Sequence, residues 1–286
     1  MQANSKYINK SSAFWAYVKL LSEKLGYSKD GKVIYYLEQQ ARAKLKELGI
    51  NVKEDIFQDV LKYLKYRADL LNKQKDYLMD VKEARKYFQI AFKDHQQNHY
   101  TCKLPLNKQR NEKKDYAFFT CIINIIAEKE LRHFANNNGL VYGKDIYFDD
   151  NPMNLSYVLN VNKELEGIMS RRFDGAFPST INPILIWEIK EYYYTTTFGS
   201  RIADGVYETQ LDGYEIKTIR EETLKNIQHI YFIDDYNTWW NMGKSYLCRI
   251  IDMLHMGLVD EVIMGKEVFE RWPQILRSVL NQYYKK

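Results

Sequence analysis

The stretch Phe173-Asp174-Gly175-Ala176, then a short turn, then Pro183-Ile184-Leu185-Ile186-Trp187-Glu188-Ile189-Lys190, decides how this chain reads. A lone acid ends one apolar segment, and Glu-x-Lys ends a second. Side chains alternate faces along a strand, so Glu188 and Lys190 share one face while Ile189 points into the core. A hairpin between the segments brings Asp174 beside them. Two carboxylates and one ammonium then share a small site. Such a site suits a hard divalent cation held through oxygens, with a lysine to hold or activate water.

Acid-x-Lys triplets are common in a chain with 28% charged residues, and Asp80-Val81-Lys82 and Glu215-Ile216-Lys217 are two others. Three features single out Glu188-x-Lys190. They are the β-branched and aromatic run before it, Asp174 at hairpin distance, and the elements that follow. A solvated edge strand would also carry Glu and Lys on one face.

Working outward, Asp115 to Asn137 reads as a helix whose apolar stripe runs through Phe119, Ile122, Ile123, Ile126 and Phe134. Glu130 falls four residues after Ile126 and four before Phe134, on that stripe, and Glu128 points to another face. An acid on a buried stripe is costly unless paired or coordinating. Leu140 to Phe148 reads as a short strand region and 149 to 156 as a loop. Lys163 to Met169 reads as a short helix or the entry to a strand. Ile184 to Tyr194 reads as a strand. Tyr192-Tyr193-Tyr194-Thr195-Thr196-Thr197 either extends it or forms a loop. Arg201 to Glu215 reads as a helix, and Gln210 and Tyr214 share one of its faces. Ile227 to Ile233 is a core strand, Lys244 to Met256 an amphipathic helix, and Glu261 to Met264 a last strand. The first hundred residues read as helices. Gly26 to Gly31 interrupts them, with Ser28 or Asp30 as a cap for the next helix, and the pattern invites a helix-turn-helix reading.

This pattern resembles the PD-(D/E)xK nuclease superfamily, which includes many restriction endonucleases. The likeness covers the second half of the chain, with Phe173 where the family's usual proline would stand. The resemblance implies an α/β (α+β) fold: a restriction-endonuclease-like core at 115–286, with a mixed central sheet flanked by helices. A helical N-terminal region at 1–110, a candidate for DNA recognition together with the Tyr/Thr run and the basic segment, would precede it. Asp174 and Glu188 would hold Mg2+, with Mn2+ as a substitute and the Ile189 carbonyl as a further ligand. Lys190 would orient or deprotonate the attacking water. Glu130 is similar in place and order to a metal-associated glutamate on the first core helix. The Gln210–Tyr214 pair is similar to one that follows the catalytic lysine in the RecB-like branch. The implied activity is that of a type II restriction enzyme acting on double-stranded DNA, working as a homodimer if its cut is palindromic. A structure-specific repair or recombination nuclease is the alternative, as is a non-catalytic DNA-binding or toxin-neutralising protein on the same core.

Composition is compatible with this. The chain has 286 residues, 45% of them hydrophobic, and a formal net charge of +5. The mild basic excess is consistent with a polyanionic partner. Lys103, Lys108, Arg110, Lys113 and Lys114 cluster in a polar segment that suits phosphates or a solvated loop. The cysteines Cys102, Cys121 and Cys248 are scattered and read as buried small residues of a cytoplasmic protein. No apolar run approaches a membrane span and no signal-peptide pattern opens the chain. His95 and His99 stand i, i+4 without the companions of a zinc site. Gly243-Lys244-Ser245 lacks the upstream glycine of a phosphate loop, and Gly199-Ser200 lacks the setting of a serine nucleophile.

Overall fold

The computed structural model describes residues 1–107 and 115–284. Lys108, Arg110, Lys113 and Lys114 of the basic segment therefore lie outside the described residues. The chain begins with α1 (Ser12–Leu25), started by Ser11, whose hydroxyl accepts from Phe14 N–H. A hairpin of β1 (Ser28–Lys29) and β2 (Lys32–Val33) follows. Ser28 and Asp30 thus build a tight hairpin instead of capping a helix. Asp30 and Gly31 take the left-handed backbone that such a turn needs. Then come α2 (Glu38–Glu47) and α3 (Glu54–Gln74). Phe14, Val18 and Leu21 pack with Phe57, Val60 and Tyr63 in one aromatic-rich cluster.

Helix α4 (Val81–Gln97) opens with a capping box. The Asp80 carboxylate accepts from Lys82 and Glu83 N–H, and Glu83 reaches back to the Asp80 N–H. The acid of the triplet Asp80-Val81-Lys82 is therefore spent on a helix start. Ala84 and Phe88 of α4 enter the same core cluster as α5 (Phe118–Asn138). Residues 81–97, which fall inside the expected N-terminal region at 1–110, thus pack with the second half of the chain. The reason is the apolar face of α4, which finds its cover on α5.

After α5 the expected strand at 140–148 is absent. Leu140 to Phe148 forms turns with one isolated bridge, Tyr142 to Ile146. β3 (Tyr157–Leu159) and β4 (Leu165–Ile168) make a small antiparallel pair, so the segment before Met169 is strand. β5 (Gly175–Phe177), β6 (Leu185–Glu191), β7 (Gln228–Asp234) and β8 (Glu261–Met264) form a sheet in that order. β5 runs antiparallel to β6, while β6, β7 and β8 are parallel. Parallel neighbours need crossovers, and these are α6 (Ser200–Thr223) and α7 (Lys244–His255), the latter preceded by a π-helical turn at Asn237–Met242. α8 (Val268–Tyr284) closes the chain. The fold is mixed α/β, a mixed sheet flanked by helices. No described helix is long and apolar enough to cross a membrane.

The alternation along β6 assigns the layers. Leu185, Trp187 and Ile189 face α5 and α8, in a cluster with Phe119, Ile123 and Trp272. Ile186 faces the other way, toward Ile216 and Ile219 of α6. Tyr231 and Ile233 of β7 lie on that second face with Leu247 and Ile251 of α7. β6 is buried along nearly its whole length, as a strand covered on both faces must be.

The hairpin has one steric signature. A Cβ on Gly175 would lie 2.0 Å from Trp187 Cε2, because the indole covers the β5 backbone. Gly175→Ala should therefore cost about 1–3 kcal/mol through overpacking, measured by urea unfolding. Wild-type stability in that variant would contradict this close approach.

Candidate active site

The hairpin register sets the site. Asp174 sits one residue before β5, and its backbone N–H donates to Trp187 O at 3.0 Å. Its carboxylate Oδ2 accepts from Ile189 N–H at 2.7 Å. Asp174 is thus tied to β6 on both sides of Glu188. This is the juxtaposition the sequence pattern led us to expect, and it follows from pairing Gly175 with Trp187.

Glu188 and Lys190 lie on the α6 face of β6. Lys190 Nζ donates to Glu188 Oε1 at 2.5 Å, and both side chains are buried. Burial pulls the Lys190 ammonium down, but Glu188 and then Tyr192 more than offset this and leave it above its ordinary value. Lys190 is therefore a charged donor here and not a base. Gly205 of α6 leaves room for it, since a Cβ there would stand 3.1 Å from Lys190 Cε. Glu188 Oε2 is buried and has no hydrogen-bond partner among the described residues. An orphaned carboxylate oxygen is costly unless something positive reaches it.

Asp174 opens onto the cleft. Enclosure by the surrounding protein, then the Glu188 charge, raises its carboxyl from the ordinary value. Its solvent access keeps that rise smaller than a sealed site would give.

Three charged residues that the sequence reading passed over complete the cluster. Arg171 Nη2 lies 2.9 Å from Glu188 Oε1 and 3.3 Å from Glu208 Oε2. Its Nη1 donates to Asp212 Oδ2 at 2.8 Å. Burial pushes the Asp212 carboxyl up to about 7, against the lowering pull of Arg171. Glu208 and Asp212 stand i, i+4 on the face of α6 that covers β6. Asp212 lies among Thr209, Gly213 and Ile216, all buried. That acid on a buried stripe was a signal available in the sequence.

Asp174, Glu188, Lys190, Arg171 and Glu208 line a cleft of about 1370 Å³, with Asp212 behind Arg171. Its lining also includes Lys103 and Pro105, Asp150 to Met153, and Thr195 to Thr197 with Gly199 to Ile202. The Tyr/Thr run leaves the sheet after Glu191 and forms this rim, so the loop alternative holds and the longer strand does not.

Glu130 does not join the site. It lies on α5, which covers the opposite face of the sheet from Glu188, and roughly 15 Å along the helix axis from cleft-lining Thr120. Its carboxylate takes a fork of two bonds from Arg277 of α8, at 2.7 and 2.9 Å. A surface arginine thus meets the need that its place on the stripe created. Glu128 accepts from the Thr101 and Cys102 N–H groups and from Arg132. Gln210 is also corrected. It sits half-buried two residues from both Glu208 and Asp212, a turn of about 200° away from their face, and Tyr214 is exposed. Glu215 and Lys217 belong to α6, which runs past the expected end. Glu215 accepts from Ser170 N–H, and Lys217 lies at the surface 4.0 Å from Glu221.

The other candidate groups are structural. The three cysteines are free and buried. His99 has left α4 and has a φ of 50°, so it cannot pair with His95 on one helical face. His229 is buried in β7, its Nδ1 3.0 Å from Leu258 O, and burial lowers it to about 4. Among the described residues no group of three or more His, Cys, Asp or Glu side chains converges as a metal site.

No curated protein and no solved structure matches the chain. Residues 1–74 match a domain of unknown function, DUF7690. Residues 79–279 match a second, DUF7687, whose start falls just before α4. With that match spanning β5, β6, α6 and the whole Asp174–Glu188–Lys190 cluster, the chain belongs to the DUF7687 family.

Proposed function

We propose that the chain is a magnesium-dependent DNA endonuclease of the PD-(D/E)xK type, most simply a type II restriction enzyme. One observation carries this. Asp174 is tied to β6 on both sides of Glu188, Lys190 lies on the same face, and Glu188 Oε2 points to no donor. The antiparallel β5–β6 hairpin continued by parallel β7 and β8, with helices on both faces, supports a restriction-endonuclease-like core.

The residues fit a hard cation. Asp174, Glu188, Glu208 and Asp212 carry four carboxyls against two cations, Arg171 and Lys190, which leaves a deficit of two positive charges when all are ionised. Magnesium takes one or two carboxylates and completes its shell from water and substrate phosphate, so two acids suffice. Asp174 and Glu188 would hold it, with the Ile189 carbonyl as a further oxygen, and Mn2+ would substitute. Bound there, the cation supplies Lewis acidity toward the phosphate and a lowered pKa for water.

The chain's own residues do the rest. Lys190, held as an ammonium by Glu188, stabilises charge developing on the phosphate oxygens and orients the nucleophilic water. Asp174 and Glu188 accept hydrogen bonds from that water. Arg172 and Arg201 at the rim offer phosphate contacts, and Thr195 to Thr197 offer hydroxyl donors to double-stranded DNA. A palindromic cut would require a two-fold dimer.

The test is incubation of the purified protein with plasmid and phage DNA in Mg2+, Mn2+ or EDTA. Discrete fragments in either metal and none in EDTA are expected. Cleavage confined to junctions or flaps would make it a repair nuclease instead. No cleavage of any DNA in either metal would end the reading. Within it, Glu130→Gln should leave the cleavage rate within about twofold and cost at most about 1 kcal/mol, since its partner Arg277 is largely exposed. A large rate loss would return Glu130 to the site.

A further inference from the structure

Arg171 is the cation of the Glu188 cluster to which the mechanism above gives no role. It stands three residues before Asp174 and bridges β6 to α6 through Glu188, Glu208 and Asp212. Its side chain is 29% exposed, whereas those of Glu188 and Asp212 are 3% and 2% exposed. Glu188 Oε1 accepts from both Arg171 and Lys190, while Oε2 accepts from neither. The glutamate is thus doubly paired on one oxygen and bare on the other.

A divalent cation on Glu188 would sit beside the guanidinium, and like charges at that range repel strongly in a partly buried site. Lys190 is nearly enclosed and cannot leave. Arg171 can, because it lines the cleft and only part of it is buried. Its planar fork matches phosphate as well as carboxylate, so moving from one to the other needs no change of protonation. Asp212 and Glu208 remain as partners along the way.

We propose that Arg171 is the resident counter-charge of the metal-free site: it occupies Glu188 until a divalent cation binds, and then turns its guanidinium to the substrate phosphate in the cleft. This rests on the reading of Asp174 and Glu188 as cation ligands. Arg171 is on this account a positioning residue in the free protein and a phosphate contact in the loaded one.

Two measurements on the full chain test it, neither of which reads cleavage. In calorimetry without DNA, Arg171→Met should bind Mn2+ on the order of tenfold tighter than wild type, because a competing charge is gone. In anisotropy with a labelled duplex, Arg171→Met should lose affinity by on the order of tenfold more in Ca2+ than in EDTA, the usual scale for one charge-assisted contact. Arg171→Lys keeps the charge without the fork. It should bind Mn2+ nearly as wild type does and recover only part of the Ca2+-dependent affinity, and it stands in if the methionine variant does not fold. Unchanged or weaker Mn2+ binding in Arg171→Met would overturn the proposal and leave Arg171 as a brace for Glu188. Equal losses of DNA affinity in Ca2+ and EDTA would overturn it too. Absence of Mn2+ binding by the wild type would instead remove the cation reading itself.

Discussion

Lys190→Met should lower the single-turnover cleavage rate by at least about two orders of magnitude, the usual cost of removing one preorganised donor to developing charge. Glu188→Gln should abolish cleavage, because it removes both a proposed cation ligand and the partner that keeps Lys190 charged. The two effects are separable. Lys190 has its pKa raised by Glu188, so the ammonium is present throughout the neutral range, and methionine keeps the stem packed against Gly205. DNA binding in EDTA should survive in both variants, since the rim contacts do not depend on them. Lys217→Ala is the control, for the Lys217 side chain is exposed on α6, away from the cleft. Should Lys217→Ala cost more than Lys190→Met, the wrong triplet has been chosen. Should Lys190→Met cleave at the wild-type rate, the site does not work as described.

The β5–β6 hairpin was legible because strand alternation is strict. Once Ile189 is assigned to the core, Glu188 and Lys190 must face away from it, and the turn residues fix Asp174 beside them. Glu130 was misread by a similar argument because a helical stripe does not say which face of the sheet it covers. The stripe of α5 lies on Trp187 and Ile189, the face away from Glu188. The cost of a buried acid was read correctly, but Arg277, far along the chain, meets it. Asp212 gave the same signal on α6 and was passed over for Gln210. Its partner Arg171 lies in a loop with no periodicity to mark it. Sequence periodicity thus found acids in need of partners and could not say which partner each would meet.

The N-terminal helices illustrate the same limit, and they carry the largest expected effect on stability. Arg67 on α3 would be read as an exposed break in the stripe of Tyr63, Leu64 and Leu71, yet its side chain is fully buried. Its Nη1 reaches Asp252 of α7 at 3.1 and 2.9 Å, and its Nη2 donates to Ser22 Oγ at 2.7 Å. Tyr63 Oη donates to the same aspartate at 2.7 Å. The pair joins the segment matching DUF7690 to the DUF7687 segment. Removing one partner strands the other charge out of water, so Arg67→Met should cost about 3–5 kcal/mol. Asp252→Leu should cost a similar amount, with the Tyr63 hydroxyl left unpaired as well. The double variant Arg67→Met/Asp252→Leu should be distinctly more stable than the sum of the two, because no charge is left buried. Urea unfolding of the four proteins measures this. Additive losses, or a loss under about 1 kcal/mol for Arg67→Met, would mean that water reaches the pair. Apolar packing of α3 on α7 would then be what joins the two segments.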